Sequence, residues 1–270
     1  MSRPTSIRGS IAKWALNVYA MLALVYLFIP IAWIVGFSFN DPKGNYNVQW
    51  QRWTFSNWSD PFGDKALTDA FVVSLKIAAI STAAATMLGA LMAIGLVRYK
   101  FRGSGTLNFL LVLPLTTPEI VLGSSLATLF LDWDVTRGFN TVVIAHIMFQ
   151  VSFVALTVRA RVRGFDWTLE QAAQDLGASS LRTFWKVTFP LILPGILAAA
   201  LLSFALSLDD FIITLFNAGS LNTFPLYING SFRVRFPARV NVLATVVLVV
   251  SVGLMLIGTV IGARKNRAAR

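Results

Sequence analysis

The chain has 270 residues, 56% hydrophobic and 13% charged, with a mean hydropathy of +0.68; soluble domains are about one-quarter charged, so an ordinary water-soluble globule is excluded and lipid is the expected solvent. The absence of cysteine removes disulfide frameworks, thiolate catalysis and cysteine-based zinc sites, and a single histidine, His146, leaves no His-rich metal site. The net charge of +11 would point to nucleic acid in a soluble protein, but the 23 basic residues lie mostly between apolar runs.

Six runs are apolar enough to cross a bilayer, which takes about 20 residues. They cover residues 14–39, 71–97, 107–131, 139–158, 191–216 and 240–261. The first exceeds the apolar core of a signal peptide and reads as an uncleaved anchor with a proline kink at Pro30. Residues 40–66 form a polar loop whose Trp50, Trp53 and Trp58 suit the lipid headgroup level or a partner surface. In the second run Ala79, Ala83, Thr86, Ala90 and Ala93 recur at helical spacing and keep one face thin for close packing. The third run is broken by Pro114 and carries Glu119 after Pro118; broken backbone at membrane depth belongs in a cavity or inside protein. Glu119 therefore reads as a pore-lining carboxylate or as a structural partner of Lys76. In the fourth run His146 and Gln150 share a face, and a lone buried histidine is expected to be a hydrogen-bonded packing residue. Asp209 and Asp210 fall far along the fifth run, where they attract a cationic solute or hold Arg233 or Arg235 of the following loop.

Lys and Arg resist translocation and so orient the chain. With the N-terminus in the cytoplasm, 15 basic residues fall inside: Arg3, Arg8, Lys13, Arg98, Lys100, Arg102, Arg159, Arg161, Arg163, Arg182, Lys186, Arg264, Lys265, Arg267 and Arg270. Seven fall outside: Lys43, Arg52, Lys65, Arg137, Arg233, Arg235 and Arg239. The bias predicts an all-α membrane protein with six transmembrane helices and both termini cytoplasmic. It also explains the positive charge without a nucleic-acid partner. With no long repeat, low-complexity segment or soluble domain in view, residues 1–270 read as a single helical transmembrane domain.

Residues 165–190, between the fourth and fifth runs, are longer than a plain connection requires. Asp166 can cap a helix in which Leu169, Ala172, Ala173 and Leu176 form a narrow stripe, and Gly177 ends it. Ser179 or Ser180 can start a second helix with Leu181, Phe184, Trp185 and Thr188 on one face, running to Pro190. Two short amphipathic helices with a sharp break suit a docking knob or an interfacial helix pair.

The stretch "LEQAAQDLGASSLRTFWKVTFPLILPGILAAALLSFALSLDDFIITLF", residues 169–216, resembles the EAA loop and following span of ATP-binding-cassette importer permeases. That motif has a Glu-Ala-Ala triplet, a glycine four residues after its last alanine, and an Ile followed closely by Leu-Pro. Ala172, Ala173, Gly177 and Pro190 match, and Val187 and Phe189 stand as apolar substitutes. The motif's glutamate falls on Gln171, with Glu170 beside it to supply the charge. "SLDDFIIT", "FRVRFPARVNVLATVVLVV" and "AHIMFQVSFVALTVRARVRGFD" are similar to the spermidine/putrescine permease subfamily.

The resemblance implies a permease that forms half of a translocation pathway. Its implied partners are a second permease subunit, an ATPase dimer seated on Glu170, Gln171, Ala172, Ala173 and Gly177, an extracytoplasmic substrate-binding protein and the bilayer. The implied cargo is a polyamine, spermidine or putrescine; phosphonates, opines and other amines are the alternatives within the class. The residues agree that ATP is hydrolysed elsewhere, since no G-x-x-x-x-G-K-[ST] loop occurs. A non-catalytic subunit without cofactor or metal is expected. A secondary transporter would call for inverted repeats and intramembrane ion ligands, and a membrane enzyme for a convergent catalytic set; neither pattern is present in the sequence.

Overall fold

The computed structural model describes the backbone of residues 7–99 and 101–268 and the side chains of residues 13–99 and 101–253. Of the basic residues that orient the chain, Arg3, Lys100 and Arg270 lie outside the described residues, as do the side chains of Arg8, Arg264, Lys265 and Arg267. Among the described residues the chain is mostly helical and forms no strand beyond two isolated bridges.

The helices are α1 (Ile7–Phe37), α2 (Ser56–Ser59), α3 (Lys65–Arg98), α4 (Ser104–Thr116), α5 (Glu119–Asp132), α6 (Phe139–Arg163), α7 (Thr168–Asp175), α8 (Ser180–Thr183), α9 (Phe189–Asp209), α10 (Ile212–Asn217), α11 (Phe224–Val234) and α12 (Ala238–Ala268), with a π-turn at Phe184–Thr188. Four described stretches are long and apolar enough to cross a membrane: Lys13–Phe37, Lys65–Arg98, Phe139–Arg163 and Ser180–Asp209. The pair α4 and α5 makes a fifth if counted as one span, although it is bent by 107°. Within the described side chains α12 contributes a shorter apolar stretch, Ala238–Gly253.

Three expectations change. The third run does not break at Pro114, which lies inside α4, but at Thr117–Pro118. The residue before a proline is driven to extended backbone, and Thr117 has φ −80° and ψ 131°. The fifth run is not one helix: α9 stops at Asp209, Asp210 is extended, and α10 starts anew at Ile212. Pro190 does not end the second loop helix either, because α8, the π-turn and α9 run on without a gap. Pro190 cannot donate to the Lys186 carbonyl, and its ring crowds that carbonyl. The backbone widens just upstream, where the Phe189 N–H reaches Phe184, five residues back.

The chain divides into two compact units, Met1–Lys65 with Gly230–Arg270, and Ala66–Asn229. In the first, α1 packs on α12, and the segment after α1 is tied by a buried asparagine pair. Asn40 Nδ2 donates to Asn47 Oδ1 (2.7 Å) and its Oδ1 accepts the Gln51 N–H (2.8 Å), while Asn47 Nδ2 donates to the Phe37 carbonyl (2.8 Å). Trp53 and Trp58 stack on Phe39 with ring centroids 4.9 and 5.4 Å away, and Trp50 meets Phe37 and Trp53. These tryptophans thus build a self-packed aromatic cluster as well as an exposed rim.

In the second unit α6 is the central helix, with α4, α9 and α10 against it. Small residues set the approach of α3: a Cβ on Gly89 would lie 2.8 Å from Val154 and 2.9 Å from the Val151 carbonyl of α6. The thin face is offset from the expected stripe. Ala78, Ala85, Gly89, Ala90 and Ala93 are buried, whereas Ala79 and Ala83 are exposed. Val154, Val158, Val162, Ile192, Ile196 and Ala199 fill the core between α6 and α9.

Candidate functional site

The two breaks in the apolar runs face one another, since α5 packs against α10. At this junction lies a cavity of about 300 Å³ lined by Glu119, Asp209 and Asp210 together with Phe149, Phe153 and Phe211. Glu119 is the first residue of α5, where the helix N-terminus favours a carboxylate. It is exposed in the cavity lining, and of the two readings open from the sequence the ion pair with Lys76 is not formed. Phe149 and Phe153 stand one turn apart on α6 with ring centroids 6.3 Å apart, and aromatic faces attract cations.

The adjacent aspartates have different surroundings. Asp210 is nearly enclosed: its Oδ2 accepts the Thr214 N–H (2.8 Å) and the Thr214 hydroxyl (2.7 Å), and lies 3.2 Å from His146 Nε2. These partners, His146 and Thr214, stand on α6 and α10. This bonding also explains the break, because the carboxylate captures an N–H of the first turn of α10. Asp209 is exposed on the cavity side.

His146 is buried and joins a polar chain through the apolar interior. Its Nδ1 lies 2.7 Å from Ser207 Oγ and its Nε2 3.0 Å from Thr214 Oγ1. Ser207 meets Ser81 (3.3 Å), which accepts from Gln150 Nε2 (3.2 Å). The i, i+4 spacing of His146 and Gln150 predicts their shared face; their link to Asp210 has no local signal in the sequence.

The 165–190 segment follows its local grammar. Asp166 Oδ1 accepts the N–H (3.0 Å) and hydroxyl (2.8 Å) of Thr168, which hold the Asp166 carboxyl below its ordinary range. α7 ends in a complete Schellman motif: the Ala178 N–H bonds the Ala173 carbonyl (3.0 Å), the Gly177 N–H bonds the Gln174 carbonyl (2.8 Å), and Gly177 has φ +85°. Ser179 Oγ then accepts the Arg182 N–H at the start of α8.

Gln171, Ala172 and Gly177 are exposed and Ala173 is half-buried; Leu169, Leu181 and Trp185 are exposed too, and Leu176 is 90% exposed. Among the described residues nothing covers this apolar face. Glu170 departs from the set, being only 5% exposed. Arg98 Nη2 meets its Oε2 at 2.8 Å, Arg98 Nη1 donates to its Oε1 at 3.2 Å, and the Thr188 hydroxyl also bonds Oε1. The Glu170 carboxylate is thus spent inside the chain, where Gln171 faces out. Among the described residues no group of His, Cys, Asp and Glu is arranged to hold a metal.

Residues 85–267 match the family described as binding-protein-dependent transport system inner membrane component. The chain is 34% identical over 251 residues to the spermidine/putrescine transport system permease protein PotC of Haemophilus influenzae, covering 93% of this chain and 97% of that one. It is 36% identical over 239 residues to the putrescine transport system permease protein PotI of Escherichia coli, covering 86% and 84%. A bacterial alginate ABC transporter, solved with its pentasaccharide-bound periplasmic protein, superposes with a TM-score of 0.65 over 96% of this chain and 98% of that one, at 14% identity, which establishes likeness of fold. With the family covering most of the chain and relatives of this identity along nearly all of it, the chain belongs to the binding-protein-dependent inner-membrane permeases of ATP-binding-cassette importers.

Proposed function

We propose that this permease passes a polyamine, spermidine or putrescine, as one half of a pathway completed by a second permease subunit. The observation that carries the reading is the cavity at the junction of the two broken spans, where Glu119, Asp209 and Asp210 stand with Phe149, Phe153 and Phe211. A polyamine is a flexible apolar chain with ammonium groups. Carboxylates beside aromatic faces suit both parts of it. The names of the PotC and PotI relatives support the same cargo.

In this reading the chain spans the membrane six times with both termini in the cytoplasm, as one permease domain. An ATPase dimer seats on the exposed face of the 165–190 segment, through Gln171, Ala172, Ala173 and the turn at Gly177, and an extracytoplasmic binding protein delivers the solute. Closure of the ATPases then moves α7 and the attached spans as rigid bodies.

Glu119→Gln and Asp209→Asn test the cargo site. Each removes one negative charge while keeping the side chain's size, and each is expected to raise the apparent KM for putrescine about fivefold, since ~1 kcal/mol is the energy of a charge pair about 4 Å apart in water. An unchanged KM in both variants, at normal levels of protein, contradicts the site.

A further inference from the structure

The motif residue that meets the ATPase is expected at Gln171, and its acidic neighbour Glu170 is available to no outside partner because Arg98 and Thr188 consume it. Three elements converge on this one carboxylate. Arg98 is the last residue of α3, Glu170 lies in the first turn of α7, and Thr188 closes the π-turn that feeds α9. The Arg98 guanidinium also lies 5.4 Å from the centre of the Trp167 ring, and Trp167 packs edge-on against Phe165 at 4.8 Å. Val97, Phe165, Trp167 and Phe189 rest on the α6–α9 core. Both oxygens of a buried carboxylate are occupied, one of them twice.

The geometry points to Glu170 as an internal clamp that makes α7, the end of α3 and the π-turn a single rigid body, and so as the positioning residue through which a push on α7 reaches two spans. The inference rests on the proposed ATP-driven mechanism for its purpose, but the clamp itself is a property of this chain. Charge-assisted hydrogen bonds in a bidentate arrangement are the strong ones, and leaving any partner unpaired in a buried place is costly. The π-turn fits this role. Its widened backbone places Thr188 inward, where a regular turn before Pro190 would be under strain. Glu170 and Gln171 thereby divide the work of one motif position: one binds inward and the other faces the partner.

Glu170→Gln keeps the shape and removes the charge. The chain has no cysteine, so spin labels at Leu91→Cys and Gln174→Cys, both exposed, report the distance from α3 to α7 in the full chain. A narrow distance distribution is expected with Glu170, and a broadened one with Glu170→Gln. An equally narrow distribution in both overturns the clamp, whatever the chain transports.

The second readout is putrescine uptake per ATP hydrolysed by the reconstituted importer. Glu170→Gln is expected to keep the ATPase bound and hydrolysing while uptake per ATP falls about tenfold, the effect of one charge-assisted hydrogen bond on an equilibrium. Thr188→Val should lower the same ratio, with no further loss in the double variant. Loss of ATPase binding in Glu170→Gln would assign Glu170 to docking and overturn the clamp, and an unchanged ratio would do the same. If the unaltered importer shows no ATP-driven uptake while the label distances behave as expected, the transport reading fails and the clamp stands.

Discussion

Asp209 and Asp210 are chemically identical neighbours, and their different tasks follow from what stands opposite each. Asp210 is held by His146 and Thr214, whereas Asp209 faces the cavity with Glu119. His146 is the residue on which this division depends, because it also meets Ser207. His146→Ala leaves Asp210, Ser207 and Thr214 short of a buried partner, at about 1–3 kcal/mol for an unsatisfied group. Thermal unfolding in detergent is expected at a clearly lower temperature than for the unaltered chain, and an unchanged midpoint contradicts this role of His146. The sequence made each of these residues conspicuous as a polar group in an apolar run. It could not pair His146 with the others, since Ser207 and Thr214 stand 61 and 68 residues further along the chain. The same applies to Glu170: its charge is legible, but its inward rotation toward Arg98 depends on where α3 ends.

Helix starts and stops are written in neighbouring residues, and here sequence and structure agree most closely. Asp166 caps α7, Gly177 ends it, and Ser179 starts α8 through bonds that span only a few residues. Gly177 at φ +85° is a place where any other residue is strained by roughly 1–2 kcal/mol. Gly177→Pro is stronger still, because proline cannot reach positive φ and lacks the N–H that bonds Gln174. That variant is expected to insert normally yet lose ATP-driven uptake; normal uptake would show that the turn is dispensable. The breaks were less legible. The third run reads as broken at Pro114, whereas the structure keeps Pro114 inside α4 and breaks at Thr117–Pro118. The break at Asp210 has no proline and no glycine, and arises because a side-chain carboxylate competes for an α10 N–H. The stripe on α3 is displaced for a related reason: many small residues follow one another there, so spacing alone left several faces equally thin.

At the scale of the molecule, composition determined the solvent and the family followed from the 169–216 stretch together with relatives along nearly the whole chain. The proposed topology is accessible to direct labelling, because any introduced cysteine is unique. In intact cells Gly44→Cys is expected to react with a membrane-impermeant maleimide, and Arg102→Cys only after the membrane is opened. The reverse pattern would invert the orientation. The proposed topology draws on the charge of every loop at once, whereas the proposed cargo site rests on a few side chains around one cavity.

The most direct test of the central claim is uptake of labelled spermidine and putrescine by cells lacking this chain, with and without its restoration beside its partner subunits, before and after ATP depletion. Restored uptake that disappears on ATP depletion is the predicted result. Uptake of both amines that does not depend on the chain would contradict the polyamine assignment.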